Sequence, residues 1–80
     1  MTNATLPSWS VGDRLRKARE AAGLEQRQLA EAAGISRATI SNAERGVGTP
    51  HLNTLQRWAT VTGVPVAWLL GEVDAADDVA

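Results

Sequence analysis

The residues from Gln26 to Arg45, which read QRQLAEAAGISRATISNAER, decide the fold of this 80-residue chain. Two short segments with apolar residues at helical spacing flank Gly34, and glycine suits the left-handed backbone of a sharp turn. Ala30 is small enough to let two helices cross almost in contact. A helix-turn-helix requires this arrangement mechanically, although an ordinary helical hairpin has the same pattern.

The two helices of this segment have recognisable ends, and another helix precedes them. The first of the two runs from about Gln26 to Ala33, and the second follows a cap at Ser36 and reaches about Arg45. Upstream, Ser10 and Asp13 form a shortened capping box. A helix with apolar positions Val11, Leu15, Ala18 and Ala22 follows that box and stops at Gly23.

Two more helices are predicted after the turn that runs from Gly46 to Pro50. The fourth helix covers about residues 51–62 and ends before Gly63. Pro65 is expected at the first position of a fifth, short helix, because the fixed φ of proline suits a helix start. The fourth helix is predicted to bury the face made of Leu52, Leu55, Trp58 and Ala59. The apolar residues of the fifth helix are Val66, Trp68, Leu69 and Leu70.

The pattern therefore predicts an all-α, compact five-helix domain over residues 10–71, with an N-terminal arm at 1–9 and an acidic, disordered tail at 72–80. The formal net charge is −1, but all eight basic residues and only five of the nine acidic ones lie in residues 1–71. A body this weakly basic can bind DNA only if its positive charge is concentrated on one face. The basic run Arg14, Arg16, Lys17 and Arg19 is equally well explained as a solvated helix face.

Composition excludes several classes of function. The chain has no cysteine and one histidine, His51, so it offers no thiolate or histidine-rich metal site. No apolar stretch approaches the roughly 18 residues of a membrane span. The first ten residues carry no Lys or Arg, which argues against a secretory signal. We expect a cytoplasmic protein without cofactor, metal, membrane or small-molecule ligand. No nucleophile–base pair indicates an enzyme.

Several short stretches together resemble the phage repressor and Cro-like helix-turn-helix family. They are Gly23-Leu24-Glu25-Gln26-Arg27-Gln28-Leu29-Ala30, Gly34-Ile35-Ser36, Ile40-Ser41, Glu44-Arg45-Gly46, Thr49-Pro50, Leu55, Ala59, Gly63-Val64 and Trp68-Leu69-Leu70. The resemblance covers roughly residues 11–71. It implies a lambda-repressor-like domain with the helix-turn-helix at helices 2 and 3, which usually acts as a dimer on a partly palindromic DNA operator.

The resemblance also implies roles for individual residues, each of which has a plainer structural alternative. Positions on the outer face of the third helix are the family's major-groove readers, although the same face could be ordinary polar surface. Arginine pairs with guanine, asparagine with adenine, and an alanine methyl group meets a thymine methyl group. The readers would be Arg37, Ala38, Ser41 and Asn42. Contacts to the DNA backbone would come from Gln26, Arg27, Ser36, Thr39 and Arg45.

Two further roles follow from the resemblance. Glu44 has the chemistry of a general acid, but the family pairs this residue with an arginine of the first helix, here Arg19. Trp68, on the short last helix, could belong to the core or to a dimer contact. Trp9 either attaches the first helix to the body or lies loose.

The sequence departs from the family pattern at four places. Glu25 stands where Ser or Thr is usual, which predicts a poorer cap for the second helix. The loop Val47-Gly48-Thr49 carries no charge, whereas the family's loop is commonly basic. Thr62 stands where a core leucine is usual, and Trp58 replaces a common aliphatic residue. These departures leave the predicted fold intact and weaken the phosphate-binding side of the interface.

The leading hypothesis is a sequence-specific regulator of transcription that binds double-stranded DNA as a homodimer, like a small phage or prophage Cro-like repressor. A second hypothesis keeps the fold and makes the chain the antitoxin of a toxin–antitoxin pair, with the Trp68 region or the acidic tail binding the toxin. A third hypothesis is a protein-interaction module that does not bind DNA, which the net charge of −1 favours.

Overall fold

A computed structural model describes residues 9–73. Within that range all regular secondary structure is helical, and the predicted all-α, five-helix fold is confirmed. No helix in the described range is long and apolar enough to span a bilayer. The helices are α1 (Val11–Ala21), α2 (Gln26–Ala33), α3 (Arg37–Glu44), α4 (Leu52–Thr62) and α5 (Val66–Leu69).

The start of α1 is fixed by a reciprocal capping box. The backbone N–H of Asp13 donates to Ser10 Oγ, and the backbone N–H of Ser10 donates to Asp13 Oδ2, both at 3.1 Å. These two bonds satisfy N–H groups that have no partner within the helix. The hydrogen bonds from Ser10 also hold the pKa of the Asp13 carboxyl below its ordinary value.

Local chemistry also sets the boundary between α2 and α3. At the start of α2, the side chain of Gln28 accepts the N–H of Glu25 at 2.8 Å, which satisfies the backbone N–H of the N-cap residue. Gly34 ends α2 with a φ of 68°, a conformation that residues with a side chain rarely adopt. Ser36 Oγ then accepts the N–H of Thr39 at 3.1 Å and begins α3.

The core lies where all five helices meet. Its largest fully buried side chain is Trp58 of α4, whose indole N–H donates to the carbonyl of Leu15 at 3.1 Å. This bond satisfies the one polar atom of the indole, so Trp58 fills the centre of the domain without leaving a buried N–H unpaired. The other fully buried large side chains are Leu15, Leu29, Ile40 and Leu69.

Two predictions about α4 and α5 are wrong in detail. Leu52, expected in the core, is 60% exposed, because it is the first residue of α4 and lies one turn before Leu55, where the buried stripe begins. Pro65 is the N-cap of α5 and has extended backbone, so the helix starts one residue later than expected. Thr62 is half-buried, and its hydroxyl donates to the carbonyl of Trp58 at 2.8 Å.

Both predicted terminal segments lie largely outside the described residues. Of the expected N-terminal arm, only Trp9 is described, and of the expected acidic tail, only Glu72 and Val73. Trp9 is 50% exposed and meets the ring of Trp68 edge-on, with 6.3 Å between the ring centroids. In this contact Trp9 connects the chain before α1 to α5.

Candidate nucleic-acid interface

Helix α3 has an inner face that fixes it to the core and an outer face that is open. Ile40 and Ala43 are buried. On the other side, Arg37 and Ala38 are exposed, and Ser41 and Asn42 are half-buried. These four positions, spaced i, i+1, i+4 and i+5, lie together on one side of the helix. The structure therefore brings the four predicted base readers onto one accessible surface.

The position of α3 is further set by its close approach to α1. A methyl group placed on Gly12 of α1 would lie 2.5 Å from the backbone oxygen of Glu44. Such a contact is too short for any residue with a side chain, so only glycine allows α1 and the end of α3 to approach this closely. Gly12 is a structurally important position that helical spacing alone does not reveal; the one signal in the sequence is a glycine in the first turn of a predicted helix.

An ion pair joins the same two helices. The guanidinium of Arg19 donates from Nε to Glu44 Oε2 at 2.6 Å and from Nη2 to Oε1 at 3.0 Å, with the two side chains 12% and 5% exposed. Arg19 Nη1 also donates to the carbonyl of Leu24 at 2.9 Å. Bonding to Glu44 raises the pKa of Arg19 above its ordinary value. Glu44 is thus occupied in a structural contact and is poorly placed to act as a general acid.

Gln26 belongs to the same network. Its side-chain Nε2 donates to Glu44 Oε1 at 3.2 Å, so its amide is held at the first residue of α2. A primary amide has two N–H donors, and the bond to Glu44 uses one of them. The resemblance assigns this residue to a contact with the DNA backbone. In the structure it is positioned by the carboxylate at the end of α3.

A polar cleft lies between the start of α2 and the start of α3. Its volume is about 440 Å³. It places Arg27, a predicted backbone contact, next to Arg37, a predicted base reader. Arg19 is paired with Glu44, so the donors and positive charge suited to an anion such as phosphate come from Arg27 and Arg37. The lining residues are Arg19, Glu25, Gln26, Arg27 and Arg37.

The other end of α3 couples two more predicted residues. Arg45 Nη2 donates to Asn42 Oδ1 at 2.7 Å. Arginine only donates, so this bond fixes the orientation of the Asn42 amide and leaves its NH2 group facing away. Ser36 and Thr39 are also engaged with each other, with 2.8 Å between their hydroxyl oxygens. The sequence predicts the cap at Ser36 but neither the Arg45–Asn42 bond nor the contact between the two hydroxyl groups.

A smaller cleft of about 190 Å³ lies between α3 and the start of α4. It includes Thr39 and Asn42 on one side and the loop from Val47 to His51 on the other. The loop carries no Lys, Arg, Asp or Glu, as the sequence indicated. Any phosphate contact here would depend on backbone N–H groups, hydroxyl groups and the imidazole.

A different surface surrounds the predicted dimer residue Trp68, which is half-buried. The guanidinium of Arg14 lies over its ring, 4.9 Å from the centroid, and donates to its carbonyl at 3.1 Å. Beside it is a mostly apolar groove of about 410 Å³, called the tryptophan groove below. The role of Arg14 was missed because its acceptor is a backbone carbonyl 54 residues away. The groove is lined by Trp9, Lys17, Ala18, Ala21, Gly63, Val64, Pro65 and Trp68.

The arrangement of α2 and α3 is matched by a known family. A helix-turn-helix family model matches residues 15–69, which is more than half of the chain. The chain belongs to the helix-turn-helix family. The residues matched extend from α1 to the end of α5 and so include the helix pair, its turn and the core around Trp58.

Several regulators are similar in sequence to this helix-turn-helix protein. The immunity repressor protein of Bacillus phage phi105 is 38% identical over 63 residues, which cover 79% of this chain and 44% of the phage protein. The HTH-type transcriptional regulator ImmR of Bacillus subtilis is 36% identical, with 79% of this chain and 50% of the regulator covered. The chain thus spans about half the length of these relatives.

Solved structures share the fold. The restriction-modification controller protein C.AhdI from Aeromonas hydrophila superposes with a TM-score of 0.71 and 33% identity, covering 75% of this chain and 91% of that one. A chain of the SinR–SinI protein complex superposes with a TM-score of 0.73 and 29% identity, covering 85% and 71%. The fold therefore recurs in a controller protein and in a protein–protein complex.

Proposed function

We propose that this helix-turn-helix protein is a sequence-specific regulator of transcription, a small Cro-like repressor of phage type that reads the major groove of double-stranded DNA with α3. The observation that carries the proposal is the two-sided character of α3. Its inner face is anchored by Ile40, Ala43 and the Arg19–Glu44 pair, while its outer face carries accessible side chains of the types that can hydrogen-bond base edges.

Different side chains are proposed to read and to hold the DNA. Arg37 pairs with guanine, Asn42 pairs with adenine, and Ala38 and Ser41 make the smaller contacts between them. Arg27 and Gln26 at the polar cleft contact phosphate, together with Ser36, Thr39 and Arg45. The bond from Arg45 to Asn42 supports a second role for Arg45, because it holds the Asn42 amide in one orientation.

We propose that the protein acts as a homodimer in the cytoplasm, on a partly palindromic operator. One domain offers a single reading helix and too little contact for strong specificity, which two domains on half-sites about 10 bp apart would supply. Half-buried Trp68 beside the tryptophan groove is the candidate dimer contact. The function needs no cofactor, metal or small-molecule ligand, and no enzymatic activity is proposed.

A second candidate function is binding to a protein partner, as in an antitoxin. The tryptophan groove favours it, because a mostly apolar groove with an exposed Trp9 is a surface that a partner could cover. One structural neighbour was solved as a complex of SinR with SinI. Partner binding at this groove is compatible with DNA binding, since the base-reading residues of α3 are not among those that line it.

The proposal is tested by selecting bound duplexes from a random DNA pool. The affinity of the protein for the selected duplexes is then compared with its affinity for scrambled duplexes at several salt concentrations. We expect a partly palindromic consensus and affinity that falls as salt rises, because phosphate contacts release counterions. The absence of any salt-sensitive DNA binding would contradict the proposal and favour a protein-interaction module.

A further inference from the structure

Glu25 is the one acidic residue among those that line the polar cleft. It is exposed at the N-cap of α2, and its backbone N–H is held by Gln28 at 2.8 Å. The three other charged residues of the cleft are Arg19, Arg27 and Arg37. The pKa of Arg19 is raised mainly by its bond to Glu44, and the negative charge of Glu25 adds a smaller effect in the same direction.

A carboxylate at this place has two electrostatic effects on a DNA phosphate. It repels the phosphate directly, and it occupies the positive field at the start of α2, where backbone N–H groups otherwise attract an anion. Both effects act on the backbone of any duplex, because phosphate carries no sequence information. The effect on binding is therefore expected to be the same for cognate and unrelated DNA.

We propose that Glu25 competes with DNA phosphate for the polar cleft and so lowers the affinity of this domain for all duplexes without changing which bases it prefers. The inference rests on the proposed DNA-binding function. The carboxylate weakens the contact between each domain and the DNA phosphate, so one domain alone binds DNA weakly. Tight binding then requires the base contacts of α3 and a second domain.

The test is the substitution Glu25→Gln, which removes the charge and keeps the size of the side chain. At low salt we expect cognate and scrambled duplexes both to bind about two- to fourfold more tightly for each domain that contacts the duplex, the effect of one charge about 5–10 Å from a phosphate in water. The gain should shrink as salt is raised, because salt screens the interaction. The consensus from a random pool should stay the same.

Glu31→Gln is the matched control, because Glu31 is an exposed acid on the same helix that does not line the cleft. It changes the net charge equally and should have the smaller effect. Glu25→Ser is a second variant, with a hydroxyl that can cap α2. Thermal melting of each variant, followed by circular dichroism, checks that the substitution leaves the fold intact.

Equal or weaker DNA binding by both Glu25 variants, relative to the unmodified chain, would overturn the inference. So would a gain no larger than that of Glu31→Gln, because the effect would then reflect net charge alone. A changed base consensus would also overturn it, since Glu25 would be acting on base readout. If the unmodified chain binds no duplex in a salt-dependent way, the proposed function itself fails, which is a distinguishable result.

Discussion

Glu44 joins three helices through one carboxylate. It ends α3, pairs with Arg19 of α1 and accepts a hydrogen bond from Gln26 of α2. Since the pair is almost entirely buried, its main effect is to fix where α3 lies relative to its neighbours. A buried ion pair stabilises the fold little more than well-packed apolar residues in its place would. Removing only one partner is costly, because the other charge is left buried and unpaired.

Replacing Glu44 by Ala should therefore lower the free energy of unfolding by about 3–5 kcal/mol, because Arg19 remains buried and uncompensated. Urea denaturation measures the change. Glu20→Ala is the control, since Glu20 and Lys17 form an exposed pair at 3.9 Å whose loss should cost less than about 1 kcal/mol. Similar costs for the two variants would show that Glu44 does not hold the helices together.

At the scale of single helices, the start of α1 depends on ionised Asp13. Its pKa is lower in the folded chain than the ordinary value of 3.8 because Ser10 donates to the carboxylate. The capping box therefore adds stability above the unfolded pKa and loses it as pH falls through the lower, folded pKa. We expect Asp13→Asn to melt at a lower temperature than the unmodified chain at pH 7, and the difference to disappear as pH falls below the lowered, folded pKa of Asp13. A difference that persists in acid would contradict this.

The contact between α1 and α3 gives a second prediction at this scale. A methyl group on Gly12 would meet the backbone oxygen of Glu44 at 2.5 Å, so Gly12→Ala must push the two helices apart. Overpacking of this kind costs about 1–3 kcal/mol, although alanine is otherwise the better helix former. Chemical denaturation of this variant should show a clear loss of stability. Unchanged or increased stability would mean that the helices separate at no cost.

Most helix ends were predictable from the residues themselves, and the contacts between helices were not; the ion pair that joins α1 to α3 came only from the family resemblance. Ser10, Ser36 and Gly34 act on their immediate neighbours in the chain, so their capping and turn chemistry is visible in the sequence. Leu52 shows the limit of predicting burial from helical spacing. The spacing places Leu52 on the same face of α4 as Leu55, but it does not show that the buried part of this face begins only at Leu55. The outer face of α3 was predictable for the same reason as the caps.

Contacts from side chains to distant carbonyls lie beyond such reasoning. Arg14 donates to the carbonyl of Trp68, and Arg57 donates to that of Ala33 at 3.1 Å. Every residue offers a carbonyl, so no residue type marks the acceptor in the sequence. The bond between Arg45 and Asn42 was missed although it is local, because both residues had been assigned separate contacts to DNA.

At the scale of the whole molecule, Trp68 connects the core to the surface. It packs against Trp9 and Arg14 and borders the tryptophan groove. We expect Trp68→Ala to lower the melting temperature, the dimer affinity, or both. Sedimentation and thermal melting distinguish these effects, with Trp9→Ala as the control for the exposed partner ring. Unchanged sedimentation and melting would show that Trp68 is neither interface nor core.

The central claim is that α3 reads bases while Arg27 on α2 only holds the backbone. It is tested most directly by titrating Arg37→Ala, Asn42→Ala and Arg27→Ala against cognate and scrambled duplexes at several salt concentrations. We expect each α3 variant to lose about 1–3 kcal/mol on the cognate duplex, with relaxed base preference and a smaller loss on the scrambled one. Arg27→Ala should weaken both duplexes alike and reduce the salt slope by about one. Equal losses on both duplexes for Arg37→Ala and Asn42→Ala would show that α3 is not the reader.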